Sequence, residues 1–274
     1  MRLGVLIDGE AGDSIEVGNR GFNYGDGAFE TLLVQDGRPV WWGEHLARLR
    51  RGCEALGLRM PDADLLEYEA EQLCADQARA VLKIVLTRTG HGRGYAPEPG
   101  ARSQRVLSLH AAPPLLGSDY VEGVTLRWCE TRLALQPRLA GFKHLNRLEQ
   151  VLARDELANT GAFEGLMLDT TGRVVCATAA NVFVLAHGRL RTPALRACGI
   201  AGICRDWVLT RTDVEIGELL PQDLERADAL FLSSSLRGIL PVARLGTRRY
   251  RPQPLIAGLI AQLWNEVPAL APQA

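Results

Sequence analysis

Apolar residues in the first third of the chain form short runs that are separated by turn signals. Residues 2–7 are followed by Asp8-Gly9, and residues 28–35 are followed by Asp36-Gly37. An Asp-Gly pair between two apolar runs is typical of a β-hairpin turn. These runs therefore predict strands, and two later apolar runs predict further strands at residues 81–87 and 106–110.

The spacing of apolar residues changes to a helical period between residues 44 and 77. Apolar residues three or four positions apart mark the first helix: Leu46, Leu49, Cys53 and Leu56. Gly57 supplies a stop, because glycine tolerates the left-handed conformation that ends many helices. We predict helices over residues 44–56 and 62–77, which complete an α+β unit covering residues 1–112.

Paired prolines indicate a linker after this unit. Pro113 and Pro114 favour an extended backbone without helical pairing, so we predict a linker over residues 113–120. A larger second unit of alternating strands and helices, with α/β character, is predicted over residues 121–274. Its predicted elements are a strand at 124–129, a hairpin over 164–185 that turns at 169–172, a strand at 229–232 after a short segment at 223–227, and a helix at 254–264.

Lys143 is the main candidate for chemistry in the second unit. We predict that it opens a helix continuing to about residue 159, with an apolar stripe formed by Leu145, Leu148, Val151 and Leu152. A lysine amine becomes nucleophilic at neutral pH when a pocket excludes water or a nearby cation lowers its pKa, and it then condenses with an aldehyde such as that of pyridoxal phosphate. A solvated lysine in a first helical turn is the structural alternative. The polar residues His144, Arg147 and Glu149 around the helix start favour the chemical role.

Composition narrows the class of protein. The net charge of −1 gives no electrostatic reason to expect nucleic acid or an anionic membrane as a partner. The apolar start is too short for a signal peptide, and no run approaches the roughly 20 apolar residues of a membrane span, so we expect a cytoplasmic protein. The six cysteines form no CxxC pair and the five histidines form no HExxH motif, so we expect reduced, mostly buried thiols and no bound metal.

An ordered set of motifs connects the chain to a known family. In chain order the motifs are YGDGAFET from Tyr24, HLARL from His45, GRGY from Gly92, FKHLNRLEQVLAR around Lys143, AANVF from Ala179 and GIAGICR from Gly199. The set resembles the fold-type IV pyridoxal-phosphate enzymes, which include aminodeoxychorismate lyases and branched-chain and D-amino-acid aminotransferases. The LNRLEQ continuation after Lys143 looks more similar to the lyases than to either aminotransferase.

The resemblance implies a two-domain fold-type IV enzyme, similar to D-amino-acid aminotransferases, with pyridoxal 5'-phosphate in the cleft between the domains. Lys143 would hold the cofactor as an imine, and Arg48 of HLARL would bind its phosphate. Further cofactor contacts are expected from the backbone before a predicted helix, at Ile200 and Ala201, and from Ser235 at a strand end. A solvated arginine, a plain turn and an ordinary loop are the respective alternatives.

Substrate contacts are expected around a glycine-flanked loop that contains Arg93 and Tyr95. In the family the equivalent loop approaches the neighbouring subunit's site, which implies a homodimer. Arginines suit a substrate with two carboxylates, because a guanidinium group binds a carboxylate through two hydrogen bonds. Thr31 and Arg147 are further candidates for substrate binding. An exposed turn or an ordinary strand position is the alternative for these residues.

Cys176 departs from the family pattern. Family members usually have a glutamate five residues before the asparagine of AAN, here Asn181, and this glutamate pairs with the pyridine nitrogen. Because a thiol forms only weak hydrogen bonds, we expect Cys176 to leave a weaker electron sink. A lyase whose product becomes aromatic needs that sink less than a transaminase, which must keep a carbanion long enough to reprotonate it. A shifted alignment, with another carboxylate in this role, stays open.

The resemblance therefore implies a 4-amino-4-deoxychorismate lyase activity, which forms 4-aminobenzoate and pyruvate in folate synthesis. A D-amino-acid or branched-chain aminotransferase is the alternative, and Glu30 in GDGAFET favours it because this form is common in those relatives. A non-catalytic homologue that binds pyridoxal phosphate is a second alternative, suggested by Cys176. The expected partners are a small-molecule substrate and a second copy of the chain.

Overall fold

The computed structural model describes residues 2–90 and 94–272. The chain divides into two compact units. The first is Met1–Pro113 together with Phe142–Asn146, and the second is Pro114–Gly141 together with Arg147–Ala274. The break after Pro113 falls between the two prolines that predicted a linker. Lys143 lies in the short segment that belongs to the first unit, whereas the sequence prediction placed it in the second.

The first unit is built on a six-stranded antiparallel sheet. Its strands are β1 (Arg2–Ile7), β2 (Glu10–Ala11), β3 (Gly27–Gln35), β4 (Arg38–Pro39), β5 (Arg79–Arg88) and β6 (Ser103–Ala111). Its helices are α1 (Arg20–Tyr24), α2 (Trp42–Leu56) and α3 (Ala63–Cys74). The strand order is β2-β1-β6-β5-β3-β4.

One face of this sheet forms the core of the first unit with α2 and α3. Leu32, Leu82 and Ile84 point to this face and are fully buried. The residues that alternate with them along each strand point to the opposite face. The apolar stripe of α2 joins the same core, and Gly57 ends that helix with a left-handed φ of 63°. The strands and helices predicted for residues 2–110 are thus confirmed, with shifted ends.

The second unit is built on a sheet that mixes parallel and antiparallel pairs. Its strands are β7 (Val124–Trp128), β8 (Glu164–Leu168), β9 (Val174–Ala177), β10 (Asn181–Ala186), β11 (Arg189–Pro193), β12 (Val214–Gly217), β13 (Ala229–Ser234), β14 (Gly238–Leu245) and β15 (Arg248–Arg249). Its helices are α4 (Gly117–Val121), α5 (Leu148–Asp155), α6 (Ile203–Leu209), α7 (Pro221–Glu225) and α8 (Pro254–Glu266), with 3-10 turns at Pro137–Leu139 and Pro268–Leu270. The strand order is β12-β11-β10-β13-β14-β7-β8-β9, and β15 pairs with β14.

The core of the second unit includes the stacked rings of Phe183 and Phe231, whose centroids lie 4.6 Å apart on β10 and β13. The hairpin predicted over residues 164–185 is confirmed only in its first part. Strands β8 and β9 pair across a turn in which Asp169 Oδ1 accepts a hydrogen bond from the amide of Thr171. Strand β10, however, pairs with β11 and β13. Among the described residues, no helix is both long enough and apolar enough to cross a membrane.

The segment around Lys143 is extended, so the predicted helix start at this residue is wrong. The amide of Phe29 on β3 donates to the carbonyl of Lys143 at 2.8 Å, and the amide of Leu145 donates to the carbonyl of Gly27 at 3.0 Å. These bonds make the segment a partner of β3, and α5 begins only at Leu148. A Cβ atom on Gly27 would lie 2.6 Å from Leu145 Cδ1, so Leu145 packs on the strand and does not extend the helical stripe.

Candidate active site

Lys143 lies beside β3 in the first unit, with its ammonium nitrogen over an aromatic ring. The distance from Lys143 Nζ to the centroid of the Phe29 ring is 4.3 Å. Gly27 lets this segment approach β3 closely, because a Cβ atom there would lie 2.6 Å from Leu145 Cδ1. The motif GDGAFET therefore supplies both the glycine that admits the Lys143 segment and the ring that contacts the amine.

A buried ionic cluster occupies the other face of β3. Glu30 Oε1 accepts a hydrogen bond from Arg48 Nε at 2.8 Å, and Oε2 accepts one from Arg48 Nη2 at 2.5 Å. His45 Nδ1 lies 2.6 Å from Glu30 Oε2. Burial by itself would raise the pKa of Glu30, but hydrogen bonds from Arg48 and His45 outweigh it and lower this pKa to about 2.

Burial lowers the pKa of His45, although the carboxylate of Glu30 opposes this shift. The positive charges of Arg48 and Lys143 lower it further. His45 is therefore neutral at pH 7, and its Nδ1 donates to the ionised Glu30. Its Nε2 is buried and has no hydrogen-bond partner within residues 2–90 and 94–272. That Arg48 binds a phosphate stays a prediction. The contacts above show only that Glu30 orients the guanidinium group of Arg48.

The candidates for substrate binding in the first unit lie in different settings. Thr31 is half-buried on β3, two residues after Phe29 and on the same face of the strand. The Tyr95 side chain is 87% exposed, and its ring contacts the edge of the Tyr24 ring at a centroid distance of 5.6 Å. The carbonyl of Tyr95 accepts a hydrogen bond from Arg20 Nη2 at 2.9 Å. Arg93 lies outside the described residues.

Two other arginines of the first unit are taken up by internal ion pairs. Arg88 donates to Asp26 and to the carbonyls that end α2. Arg105 donates from Nε and Nη2 to the carboxylate of the buried Glu69. Both guanidinium groups therefore stabilise the fold, which removes them from the arginines available to a substrate.

Arg147 and Cys176 interact electrostatically in the second unit. Arg147 is the residue before α5, and burial lowers the pKa of its guanidinium group. Cys176 is buried on β9, and burial raises the pKa of its thiol to about 12, although the charge of Arg147 opposes this shift. At neutral pH Cys176 is therefore an uncharged thiol. It cannot supply the negative charge of the glutamate that the family resemblance leads us to expect at this position.

Asn181 forms hydrogen bonds with the backbone segment that is predicted to contact the cofactor phosphate. Its Nδ2 donates to the carbonyl of Ile200 at 2.8 Å, and its Oδ1 accepts from the amide of Gly202 at 3.0 Å. The amide of Ala201 donates to the carbonyl of Gly141 at 2.9 Å. The amides of Ala201 and Gly202 are thus engaged within the protein. The amide of Ile200 makes no hydrogen bond to any residue that the structure describes.

Sequence reasoning missed Asn181 and Ser233 as parts of this arrangement. They face each other in the pairing of β10 with β13. The hydroxyl of Ser233 is buried and has no hydrogen-bond partner in the described part of the chain, whereas the predicted Ser235 lies just after β13. The sequence does not show which serine of residues 233–235 lies opposite Asn181, because this depends on the strand register.

No described residues form a group of three or more His, Cys, Asp or Glu side chains suited to a metal ion. Five of the six cysteines are buried and Cys198 is half-buried, which confirms the expectation of mostly buried cysteines. The chemical groups of the candidate site are therefore an amine, guanidinium groups, hydroxyls and backbone amides.

Comparisons with known proteins identify relatives along almost the whole chain. Residues 27–245 match the profile of the family described as amino-transferase class IV. A crystal structure of 4-amino-4-deoxychorismate lyase from Pseudomonas aeruginosa superposes with a TM-score of 0.92 and 40% sequence identity, covering 96% of this chain and 99% of that chain. An aminodeoxychorismate lyase from Vibrio harveyi is 32% identical over 243 residues, which are 86% of this chain and 89% of the relative.

A branched-chain amino acid aminotransferase from T.th., solved with pyridoxamine 5'-phosphate, has a TM-score of 0.86 at 19% identity, covering 99% of this chain and 96% of that chain. At this identity the match shows the fold alone. Together the matches confirm the predicted fold class, a fold-type IV enzyme with two sheets.

Proposed function

The chain belongs to the amino-transferase class IV family, whose members bind pyridoxal phosphate, and we propose that within this family it is a 4-amino-4-deoxychorismate lyase. It would convert 4-amino-4-deoxychorismate to 4-aminobenzoate and pyruvate. The observation that carries the proposal is the match with the lyase from Pseudomonas aeruginosa along nearly the full length of both chains. The neutral Cys176 supports it, because a weak electron sink suits elimination better than transamination.

The residues present fit pyridoxal phosphate as the cofactor. Lys143 offers an amine for covalent attachment to an aldehyde. In the second unit, the amide of Ile200 and the buried hydroxyl of Ser233 are donors without partners among the described residues, which suits the oxygens of a phosphate. In the first unit, Arg48 stays the phosphate ligand that the family resemblance implies, and Glu30 fixes its orientation. When bound, the cofactor supplies a ring that accepts electrons from the carbon next to the reacting amine.

Lys143 would carry out the proton transfers of the reaction. The neutral amine of Lys143 would remove the proton from the ring carbon that bears the substrate's amino group. The bond between the ring and the enolpyruvyl oxygen breaks, and the electron pair leaves with the oxygen. Lys143 then returns the proton to the departing enol, which becomes pyruvate while the ring becomes aromatic. One side chain thus acts as nucleophile, base and acid.

The direct test supplies 4-amino-4-deoxychorismate to the purified protein with pyridoxal phosphate and measures 4-aminobenzoate and pyruvate. We expect equal amounts of the two products, and no product from Lys143→Ala. A parallel assay offers D- and L-amino acids with 2-oxoglutarate. Transamination that far exceeds aminobenzoate formation would assign the chain to the aminotransferases of the family.

We propose in addition that the protein works as a homodimer. Helix α5 exposes three apolar side chains: Leu148 at 77%, Val151 at 60% and Leu152 at 58%. Large apolar side chains grouped on one surface mark interaction sites in soluble proteins, and two-fold pairing of identical chains is the commonest assembly. The exposed apolar face of α5 is therefore the surface that we expect a second copy to cover.

A further inference from the structure

Arg20 is a buried arginine at the start of α1, and its guanidinium group binds the backbone of a distant loop. Its Nη1 donates to the carbonyl of Gly94 at 3.1 Å, and its Nη2 donates to the carbonyl of Tyr95 at 2.9 Å. Both acceptors lie in the connection between β5 and β6. A guanidinium group holds its N–H donors in a rigid planar fork, which suits two consecutive carbonyl groups.

Asp26 fixes the direction of this guanidinium group. Its Oδ2 accepts a hydrogen bond from Arg20 Nε at 2.9 Å and another from Arg88 Nε at 2.9 Å. Burial by itself would raise the pKa of Asp26, but the hydrogen bonds from Arg88 and Arg20 outweigh it and lower this pKa. The carboxylate is therefore ionised at neutral pH. It holds the Arg20 side chain in the orientation that reaches the loop.

The turn at residues 25–27 also contacts the segment that carries Lys143. Asn146 Nδ2 donates to the carbonyl of Gly25 at 3.1 Å. Gly25 has a left-handed φ of 65°, and a Cβ atom there would lie 2.6 Å from Asn146 Oδ1. Hydrogen bonds within the first unit thus connect the loop that Arg20 holds to the backbone segment of the reacting amine.

Tyr95 presents an exposed aromatic ring from this anchored backbone. The ring contacts the edge of the Tyr24 ring, and the guanidinium carbon of Arg20 lies 4.9 Å from the centroid of the Tyr24 ring. Arg20 therefore supports Tyr95 twice, through the backbone carbonyl and through the ring of Tyr24. Burying charged groups is costly, so a buried ionic cluster that orients one exposed ring indicates a function for that ring.

We propose that Arg20 is a positioning residue of the lyase reaction, which holds the backbone at Gly94 and Tyr95 so that the Tyr95 side chain meets the substrate. This inference rests on the proposed function. Arg20 is buried and acts only through the loop. A lysine at this position would keep the positive charge beside Asp26, but it lacks the planar fork that binds both carbonyls at the same time.

The test is a double-mutant cycle with Arg20→Lys, Tyr95→Ala and the variant that carries both, all loaded with pyridoxal phosphate. Lysine keeps the positive charge, which protects the fold, and Tyr95 is exposed. Arg105→Lys is the matched control, because Arg105 also pairs with a buried carboxylate of the first unit, that of Glu69. The measured quantities are KM, kcat, the absorbance of the bound cofactor and hydrogen exchange of the backbone amides of residues 94–101.

We expect Arg20→Lys to raise KM by about 10-fold, the scale of one charge-assisted hydrogen bond, while kcat and the cofactor absorbance change less than about threefold. Tyr95→Ala should raise KM by a similar factor. The double variant should have the KM of the worse single variant, because Arg20 acts through Tyr95. Hydrogen exchange at residues 94–101 should become faster in Arg20→Lys, and Arg105→Lys should match the wild type.

Four results would overturn the proposal: an unchanged KM in either single variant, a KM in the double variant that rises by the product of the two single factors, a loss confined to kcat or to the cofactor absorbance, and unchanged hydrogen exchange at residues 94–101 in Arg20→Lys. A wild-type protein that forms no aminobenzoate instead overturns the proposed function. Hydrogen exchange needs no substrate, so the two failures are separate.

Discussion

At the scale of single residues, Cys176 stands where the family resemblance leads us to expect a glutamate. Its thiol is buried on β9 and stays protonated at neutral pH, because burial raises its pKa to about 12. It therefore contributes no negative charge to a cofactor ring. A protonated ring helps most where a carbanion must persist, and least where the carbanion collapses at once into an aromatic product.

We expect Cys176→Ala to leave aminobenzoate formation within about threefold of the wild type, since the thiol carries no charge that the reaction could lose. Cys176→Glu should raise transamination relative to lysis. For each variant, one assay can measure both 4-aminobenzoate and the product of transamination. Cys74→Ala serves as the control for removal of a buried thiol elsewhere. A loss of lyase activity in Cys176→Ala with the cofactor still bound would mean that the thiol has a direct role in the chemistry.

The sequence identified Lys143 as the reactive candidate, but it did not show that the chain's other lysine, Lys83, lies over the same ring. Residues 29, 83 and 143 are far apart in the sequence and meet only through the pairing of strands. Local sequence patterns do not reveal such contacts.

At the scale of secondary-structure elements, a buried ionic cluster joins α2 to β3 beside their apolar contacts. Glu30 is 1% exposed, and both of its carboxylate oxygens accept hydrogen bonds from Arg48 while His45 contacts the second oxygen. Removing one partner of a buried ion pair leaves the other charge uncompensated, which costs far more than losing an exposed pair.

We expect Glu30→Gln to lower the free energy of unfolding by roughly 3 kcal/mol at pH 7. The folded pKa of Glu30, about 2, lies below its usual value of 4.5, so the ionised carboxylate stabilises the fold above about pH 4.5 and this contribution disappears as the pH falls towards 2. The difference between wild type and variant should therefore shrink over that range. Urea titrations at several pH values measure it.

The control for this titration is Glu215→Gln, which removes an exposed partner of Arg191 on the second unit's sheet. Its effect at pH 7 should be much smaller, since exposed ion pairs contribute little. If Glu30→Gln and Glu215→Gln destabilise the protein equally, the cluster does not hold α2 against β3 as described.

Hydrophobic spacing predicted most elements correctly, because strands such as β3 and helices such as α2 bury one face and therefore show a period. It failed at Lys143 for a physical reason. Leu145 packs against β3 while Leu148, Val151 and Leu152 lie exposed on α5, so one apparent stripe joins residues in two different environments. The ion pair between Glu30 and Arg48 also escaped sequence reasoning, because it joins residues on separate elements whose contact depends on how α2 packs.

At the scale of the whole molecule, the exposed apolar face of α5 predicts the surface of self-association. We expect Val151→Glu to shift the protein from dimer to monomer at micromolar concentration, because a carboxylate buried in an apolar interface loses its hydration without gaining a partner. Sedimentation velocity measures the two populations. Ala257→Glu, at an exposed position of α8, is the control and should leave the wild-type distribution unchanged. A monomeric wild type would contradict the proposed dimer, and equal distributions for all three proteins would contradict α5 as its surface.

The attachment of pyridoxal phosphate to Lys143 can be measured directly, because the chain has a single competing lysine. The protein is incubated with the cofactor, reduced with borohydride and digested with trypsin. The masses of the peptides are then measured by mass spectrometry. We expect the pyridoxyl group on the peptide of residues 139–147, which contains Lys143, and an unmodified Lys83 in the segment 80–88. A label on Lys83 with none on Lys143, or no label at either lysine in the presence of excess cofactor, would contradict the assignment of Lys143 as the cofactor-binding residue.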